Sequence, residues 1–171
     1  LLQESLSALL EHEDSSVRTV IGHGSGSQVI LRQYLQQSTQ NKDRDFKIVL
    51  INPLGFDTLP DKSFFMPQDL EELAFRDRVF HGGSSLDFLN KDRLNYFSNP
   101  VYEQLYEQLR FHPLDSTHLK NIQYPVELIW GADDPFLTNP DLPQTLSEHF
   151  PKARLKILHS CGYAAHTECP D

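Results

Sequence analysis

Apolar and polar positions alternate between two textures along this chain. Leu2, Leu6, Leu9 and Leu10 recur at helical spacing, so residues 1–13 are expected to form a helix, closed by the turn Glu13-Asp14-Ser15-Ser16. Val17 to Ile21 is a short β-branched run, apolar enough for a strand buried on both faces of a parallel sheet. Residues 25–37 return to the helical period, with Val29, Ile30, Tyr34 and Leu35 as the expected buried stripe. A polar, solvent-facing stretch at 38–45 follows. Phe46 to Ile51 reads as a second buried strand, stopped by Asn52-Pro53 and Gly55. Residues 56–122 then hold no strand-like run. Helical patterns at 67–75, 84–89 and 100–111, rich in Phe and Tyr, mark an insertion too long for a plain connection. Strand texture resumes at Tyr124 to Gly131, a helix is expected at 142–150, and Ala153 to Leu158 alternates as a strand near a sheet edge does. Strands that alternate with helices imply an α/β fold with a mostly parallel sheet of about four strands, flanked by helices. Function in such sheets belongs at the C-terminal ends of the strands.

The end of the first strand carries the strongest local signal. Gly22, Gly24 and Gly26 stand at alternate positions between a strand and a helix. Glycine belongs where the backbone takes a positive φ or passes close to a neighbour. The spacing is that of a nucleophile elbow, G-x-S-x-G, in which a strained turn lifts a reactive side chain above the sheet. Here the middle residue, Gly24, has no side chain to react. A one-residue shift makes Ser25 the alternative nucleophile, but then His23 would flank it where a small residue is needed. Ser25 also suits a helix cap. A different pattern, Gly22-x-Gly24-x-x-Ser27, is a weak dinucleotide-binding fingerprint. That reading wants an acidic residue at the end of the next strand, which instead ends Ile51-Asn52-Pro53.

Further pieces follow in order: the insertion, the segment Pro125-Val126-Glu127-Leu128-Ile129-Trp130-Gly131-Ala132-Asp133-Asp134-Pro135-Phe136, and a strand leading to Gly162-Tyr163-Ala164-Ala165-His166-Thr167-Glu168-Cys169-Pro170. Together with the elbow, this succession resembles the C-terminal portion of an α/β-hydrolase, closest to the lid-bearing esterases, C–C hydrolases and epoxide hydrolases. The resemblance implies a partial α/β-hydrolase fold in one domain, with 1–55 and 123–171 as the sheet core and 56–122 as a helical lid. It places Gly24 at the nucleophile position and Asp134 at the acid position. Tyr163 falls where the family's base histidine stands. Tyrosine titrates near ~10 and is a poor base at neutral pH. His166, three residues on in the first turn of a following helix, is the alternative base, and His159 precedes the loop. A plain Asx turn also explains Asp133-Asp134-Pro135. His23, Ser25 and Trp130 are the expected ligand contacts beside these positions, while His81, His112 and His118 have no assigned role. The family's sheet has further strands before the elbow. The chain is therefore expected to be a fragment, or to have its sheet completed by a partner chain, because its first strand would otherwise be an exposed apolar edge.

Composition narrows the function classes. The formal net charge is −9 and the pI about 5.3, with no Lys/Arg cluster, which argues against nucleic acid or an anionic membrane as partner. No run approaches the ~20 apolar residues of a membrane span. No metal and no cofactor are expected. Two cysteines, Cys161 and Cys169, are too few for a disulfide framework and read as reduced thiols of a cytoplasmic protein, with Cys161 as a remote candidate for a catalytic thiol. The functional expectation is a hydrolase-fold protein with a degenerate triad, a pseudoenzyme that binds a small apolar or ester-like ligand, or a protein partner, without efficient turnover. The alternatives are an active hydrolase of small esters using Ser25, and a dinucleotide-binding unit.

Overall fold

Four parallel strands, adjacent in sequence order, form the sheet of the computed structural model, which describes residues 19–37, 47–56, 59, 61–81, 91–111 and 114–170. The strands are β1 (Thr19–His23), β2 (Lys47–Ile51), β3 (Val126–Gly131) and β4 (Ala153–Leu158). Register pairs His23 with Ile51, Ile51 with Ile129, and Gly131 with Leu158. The four C-terminal ends therefore open onto one rim. The helices expected at 1–13 and 84–89, and the polar stretch at 38–45, lie outside the described residues.

The two central strands are buried as their apolar runs require: Ile48 to Ile51 on β2, and Val126, Leu128 and Trp130 on β3. The outer strands differ. β4 alternates between half-buried and exposed positions, as an edge strand does. β1 was expected to be buried on both faces and is not. Helix α1 (Ser25–Gln37) packs over the face that carries Val20 and Gly22, where a Cβ on Gly22 would lie 2.7 Å from Ile30 Cδ1. Side chains alternate across a strand, so Ile21 points the other way and is 63% exposed.

On α1 the buried side is wider than the expected stripe. Leu31, Ser27, Gln28 and Gln33 are buried with Ile30 and Tyr34, whereas Val29 and Leu35 are half-buried. Gln28 explains one polar member. Its amide donates to the carbonyls of Leu54 (3.0 Å) and Gly55 (2.8 Å), tying the loop after β2 to the helix.

The insertion between β2 and β3 comprises α2 (Lys62–Phe65), α3 (Leu70–His81), α4 (Lys91–Phe97), α5 (Pro100–Phe111) and a 3-10 helix, Ser116–Asn121. The helix expected at 67–75 begins instead at Leu70. Asp69 accepts from the amides of Glu71 and Glu72 at 2.9 Å and starts it there. α2 was not expected at all, and its first turn is capped by Asp61. α4 has little apolar period and is fixed by tertiary contacts: Arg93 forks onto Asp77 at 2.5 and 3.0 Å, and the Arg76 guanidinium lies 4.1 Å over the Phe97 ring. Among the described residues, the remaining helices are α6 (Leu142–Glu148) and α7 (Ala165–Glu168).

The largest core cluster runs through Ile30, Leu31, Ile48, Leu50, Leu128 and Leu146. Cys161 and Cys169 are joined in a disulfide, with Cα atoms 6.2 Å apart. This corrects the expectation of reduced thiols and removes Cys161 as a catalytic thiol. A spacing of eight says nothing about distance, and here the turn into α7 folds the chain back on itself. Among the described residues, no helix is long and apolar enough to cross a membrane.

Candidate functional site

Each strand end delivers one side of the candidate site. After β1 the backbone turns sharply at Gly24, which holds φ +54° and leads straight into α1. A left-handed residue between strand and helix is the elbow geometry, and it sits at Gly24. Ser25 is already the first residue of the helix and is half-buried. The flanking glycines are not equivalent. A Cβ on Gly22 would meet the Ser27 backbone at 2.9 Å, whereas one on Gly26 would meet nothing within 4 Å. Close packing explains the first glycine of the motif but not the third.

After β4 the loop brings Tyr163 over this turn. A Cβ on Gly24 would lie 1.8 Å from the Tyr163 hydroxyl and 2.9 Å from Cζ. The phenol therefore takes the space into which a side chain at the elbow would project. Its ring is 3% exposed and packs edge-on against Phe64 of α2 (5.9 Å) and Phe136 (5.0 Å), which meet each other at 4.5 Å. Leu54 completes this cluster. Burial, with the nearby Asp134 carboxylate, pushes the phenol above its ordinary value, and the Arg76 cation opposes this in part. Tyr163 is neutral across the physiological range and is no base.

Asp134 lies after β3 and is 6% exposed. Its Oδ2 accepts from Asn52 Nδ2 at 2.8 Å and Trp130 Nε1 at 3.2 Å, and its Oδ1 from the Phe136 amide at 2.9 Å. Burial raises its carboxyl above the usual range, these three donors pull it back, and the charge of Glu168 adds to the rise. A buried carboxylate needs such partners, and here an amide and an indole supply them. Trp130, an expected ligand contact, is buried with its indole on Asp134.

Asn52 was missed by the sequence reading. It follows β2 with φ +41°, is fully buried, and joins the loops after β2 and β3 through Asp134. The signal was the Asn-Pro pair, read only as a strand stop, although asparagine tolerates the left-handed region better than most residues.

Two histidines, His23 and His166, meet beside Tyr163. His23 Nε2 donates to the Tyr163 carbonyl at 2.9 Å. Its ring lies 4.5 Å from the Tyr163 ring and 4.7 Å from that of His166. Burial lowers His23 below its ordinary value, the bond to the Tyr163 carbonyl offsets part of this, and His166 adds a small further drop. His166 is exposed on α7 and His159 is exposed at the end of β4. Of the histidines in the insertion, His112 lies outside the described residues. Among the described residues, no group of three or more His, Cys, Asp or Glu could hold a metal ion. For the dinucleotide reading, Asn52 at the end of β2 offers an amide already committed to Asp134, not a carboxylate for a ribose.

No family model matches the sequence, and no curated protein matches it significantly. Solved structures do match. A serine hydrolase from the polyaromatic-hydrocarbon-degrading bacterium Cycloclasticus zankles superposes with a TM-score of 0.75 at 18% identity, over 97% of this chain and 64% of that one. The 2-hydroxy-6-oxo-6-phenylhexa-2,4-dienoate hydrolase of Rhodococcus sp. strain RHA1 gives 0.73 at 18% identity, over 99% and 65%. Carboxylesterase CesB from Bacillus subtilis gives 0.67 at 19% identity, over 99% and 61%. The chain thus spans less than two thirds of the length of each of these three proteins. The fold is a partial α/β-hydrolase fold.

Proposed function

We propose that, on its α/β-hydrolase fold, this protein is a binding member and not an efficient hydrolase. The observation that carries the reading is the Tyr163 hydroxyl standing 1.8 Å from the place of an elbow Cβ. Hydroxyl catalysis needs a nucleophile with an adjacent base. In this reading Gly24 and Tyr163 are the substituted nucleophile and base positions, and Asp134 is a retained acid position. The helical insertion acts as a lid. The apolar cluster of Leu54, Phe64 and Phe136 around Tyr163, with Phe64 contributed by the insertion itself, suits a small apolar or ester-like ligand. The three matching structures, a serine hydrolase, a dienoate hydrolase and a carboxylesterase, support a ligand of that class. His23 and Ser25 are the polar contacts we assign to it.

The test is turnover of a p-nitrophenyl ester by the full chain and by Ser25→Ala. We expect hydrolysis at the background rate in both. Turnover by the natural sequence that Ser25→Ala abolishes would overturn the reading in favour of a Ser25 hydrolase. Saturable quenching of Trp130, the chain's single tryptophan, by a non-hydrolysable ester analogue is the expected sign of binding.

A further inference from the structure

The loop that seats Tyr163 against the elbow is bracketed by a covalent link that the site itself does not use. Cys161 stands two residues before Tyr163 and is 2% exposed, while Cys169 closes α7. We propose that the Cys161–Cys169 disulfide is a redox clasp, which keeps Tyr163 on Gly24 while oxidised and lets the loop open when a dithiol reduces it.

The two ends of the loop are held differently. The Cys161 end is seated on β3. A Cβ on Gly131 would lie 2.0 Å from the Gly162 carbonyl and 2.4 Å from that of Cys161, so only glycine permits the approach. The Cys161 carbonyl also accepts from the Asp133 amide at 2.9 Å. The Cys169 end rests on α7, a helix of four residues, too short to be stable by itself. Besides the disulfide, it holds the loop through the Glu168 carboxylate, which accepts from Gly162 N at 2.7 Å and Ala164 N at 3.2 Å. The His23 bond to the Tyr163 carbonyl and the packing of the Tyr163 ring against Leu54, Phe64 and Phe136 also hold the loop. These ties are non-covalent and re-form after each opening, whereas the disulfide limits how far the loop can move at all.

There is also somewhere for the loop to go. A cleft of about 210 Å³ lies beside Tyr163, bounded by Val79 of α3, Pro135 and Gly162. Ser160, where the chain leaves β4, holds φ +60°, a left-handed conformation that costs a non-glycine residue energy and relaxes if the loop opens.

The chemistry balances with a dithiol as the two-electron reductant. One thiolate attacks the sulfur of Cys169, the less buried of the two, and Cys161 leaves as a thiolate that takes up a proton. The second thiol of the reductant then attacks the mixed disulfide, frees the Cys169 thiol, and closes the reductant's own disulfide. Opening a loop of this size against an intact cross-link is disfavoured on the order of 50-fold relative to the reduced loop. The clasp stands on geometry alone. Only its consequence, that reduction admits a ligand to the elbow, rests on the binding function proposed above.

Hydrogen exchange followed by mass spectrometry on the full chain tests the clasp without any ligand. We expect amides of residues 161–169 to exchange on the order of 50-fold faster in dithiothreitol than after air oxidation, with β2 and β3 unchanged and protection restored on reoxidation. Cys169→Ser should match the reduced protein without reductant. If that variant fails to fold, the reduced natural sequence decides. Three results overturn the proposal: unchanged exchange at 161–169 with both thiols shown free by mass, faster exchange across the whole sheet, or no disulfide in the air-oxidised protein. Absence of ester-analogue binding in both redox states, with faster loop exchange in the reduced one, overturns the binding function and leaves the clasp standing.

Discussion

The loop after β3 and the seam between the turn after β1 and the loop after β4 meet at the same rim and have solved different problems. Asp134 is a charge in a buried place. It needs donors, and Asn52, Trp130 and the Phe136 amide provide them. At the seam the matter is volume. Gly24 offers no side chain, and the Tyr163 hydroxyl fills the opening. A polar group is kept by hydrogen bonds, an apolar joint by fit. The two regions should therefore fail in different ways when altered.

The largest effect is expected at the seam. Gly24→Ala adds a Cβ on top of the Tyr163 hydroxyl and places a non-glycine residue at positive φ. Together these should cost about 3–5 kcal/mol, read from denaturant melts. In a Tyr163→Ala background the same change should cost at least ~1 kcal/mol less. Additive losses would mean the two residues do not touch. Asp134→Ala comes next, at about 2–3 kcal/mol, because it strands three donors, two of them on buried side chains. Asn52→Ala should cost about 1–2 kcal/mol, since the carboxylate keeps two of its donors.

The pH dependence separates the regions further. His23 has a folded pKa below its unfolded value, so the fold binds fewer protons there. Its contribution to stability is present above the unfolded value near ~6.5 and is lost as pH falls through that value toward the lower folded one. Asp134 runs the other way, since its raised pKa favours the fold as the carboxyl protonates in acid. His23→Gln keeps a donor for the Tyr163 carbonyl and cannot titrate. It should flatten the fall in Tm between about pH 7.5 and about pH 5.5. The smallest effect belongs to the insertion's surface. Lys62→Met removes the exposed pair with Glu103 and should leave Tm unchanged within error.

How much of this was legible in the sequence follows the same division. The central strands β2 and β3 were legible because burial of both faces demands continuous apolar runs, and β4 and α5 begin and end where their patterns do. The insertion was legible only in outline. α4 has no apolar period of its own and exists through Asp77, Arg93 and Arg76, which are contacts between helices. In the site, Gly24 could be named from spacing and Tyr163 from the family resemblance, but that each occupies the other's room is a fact of three dimensions. Asn52 and the disulfide escaped for the same reason. Asn52 shows its partner only once the loops after β2 and β3 share a rim, and the cysteines show theirs only once the turn into the last helix folds the chain back.

The contact between Gly24 and Tyr163 also ties the two positions together. A serine placed at position 24 would collide with the phenol, and a histidine placed at 163 would leave unfilled the room the phenol hydroxyl takes. Each single change is worse than none, so the pair works as a ratchet. A hydroxyl reaches the elbow only where both residues change together.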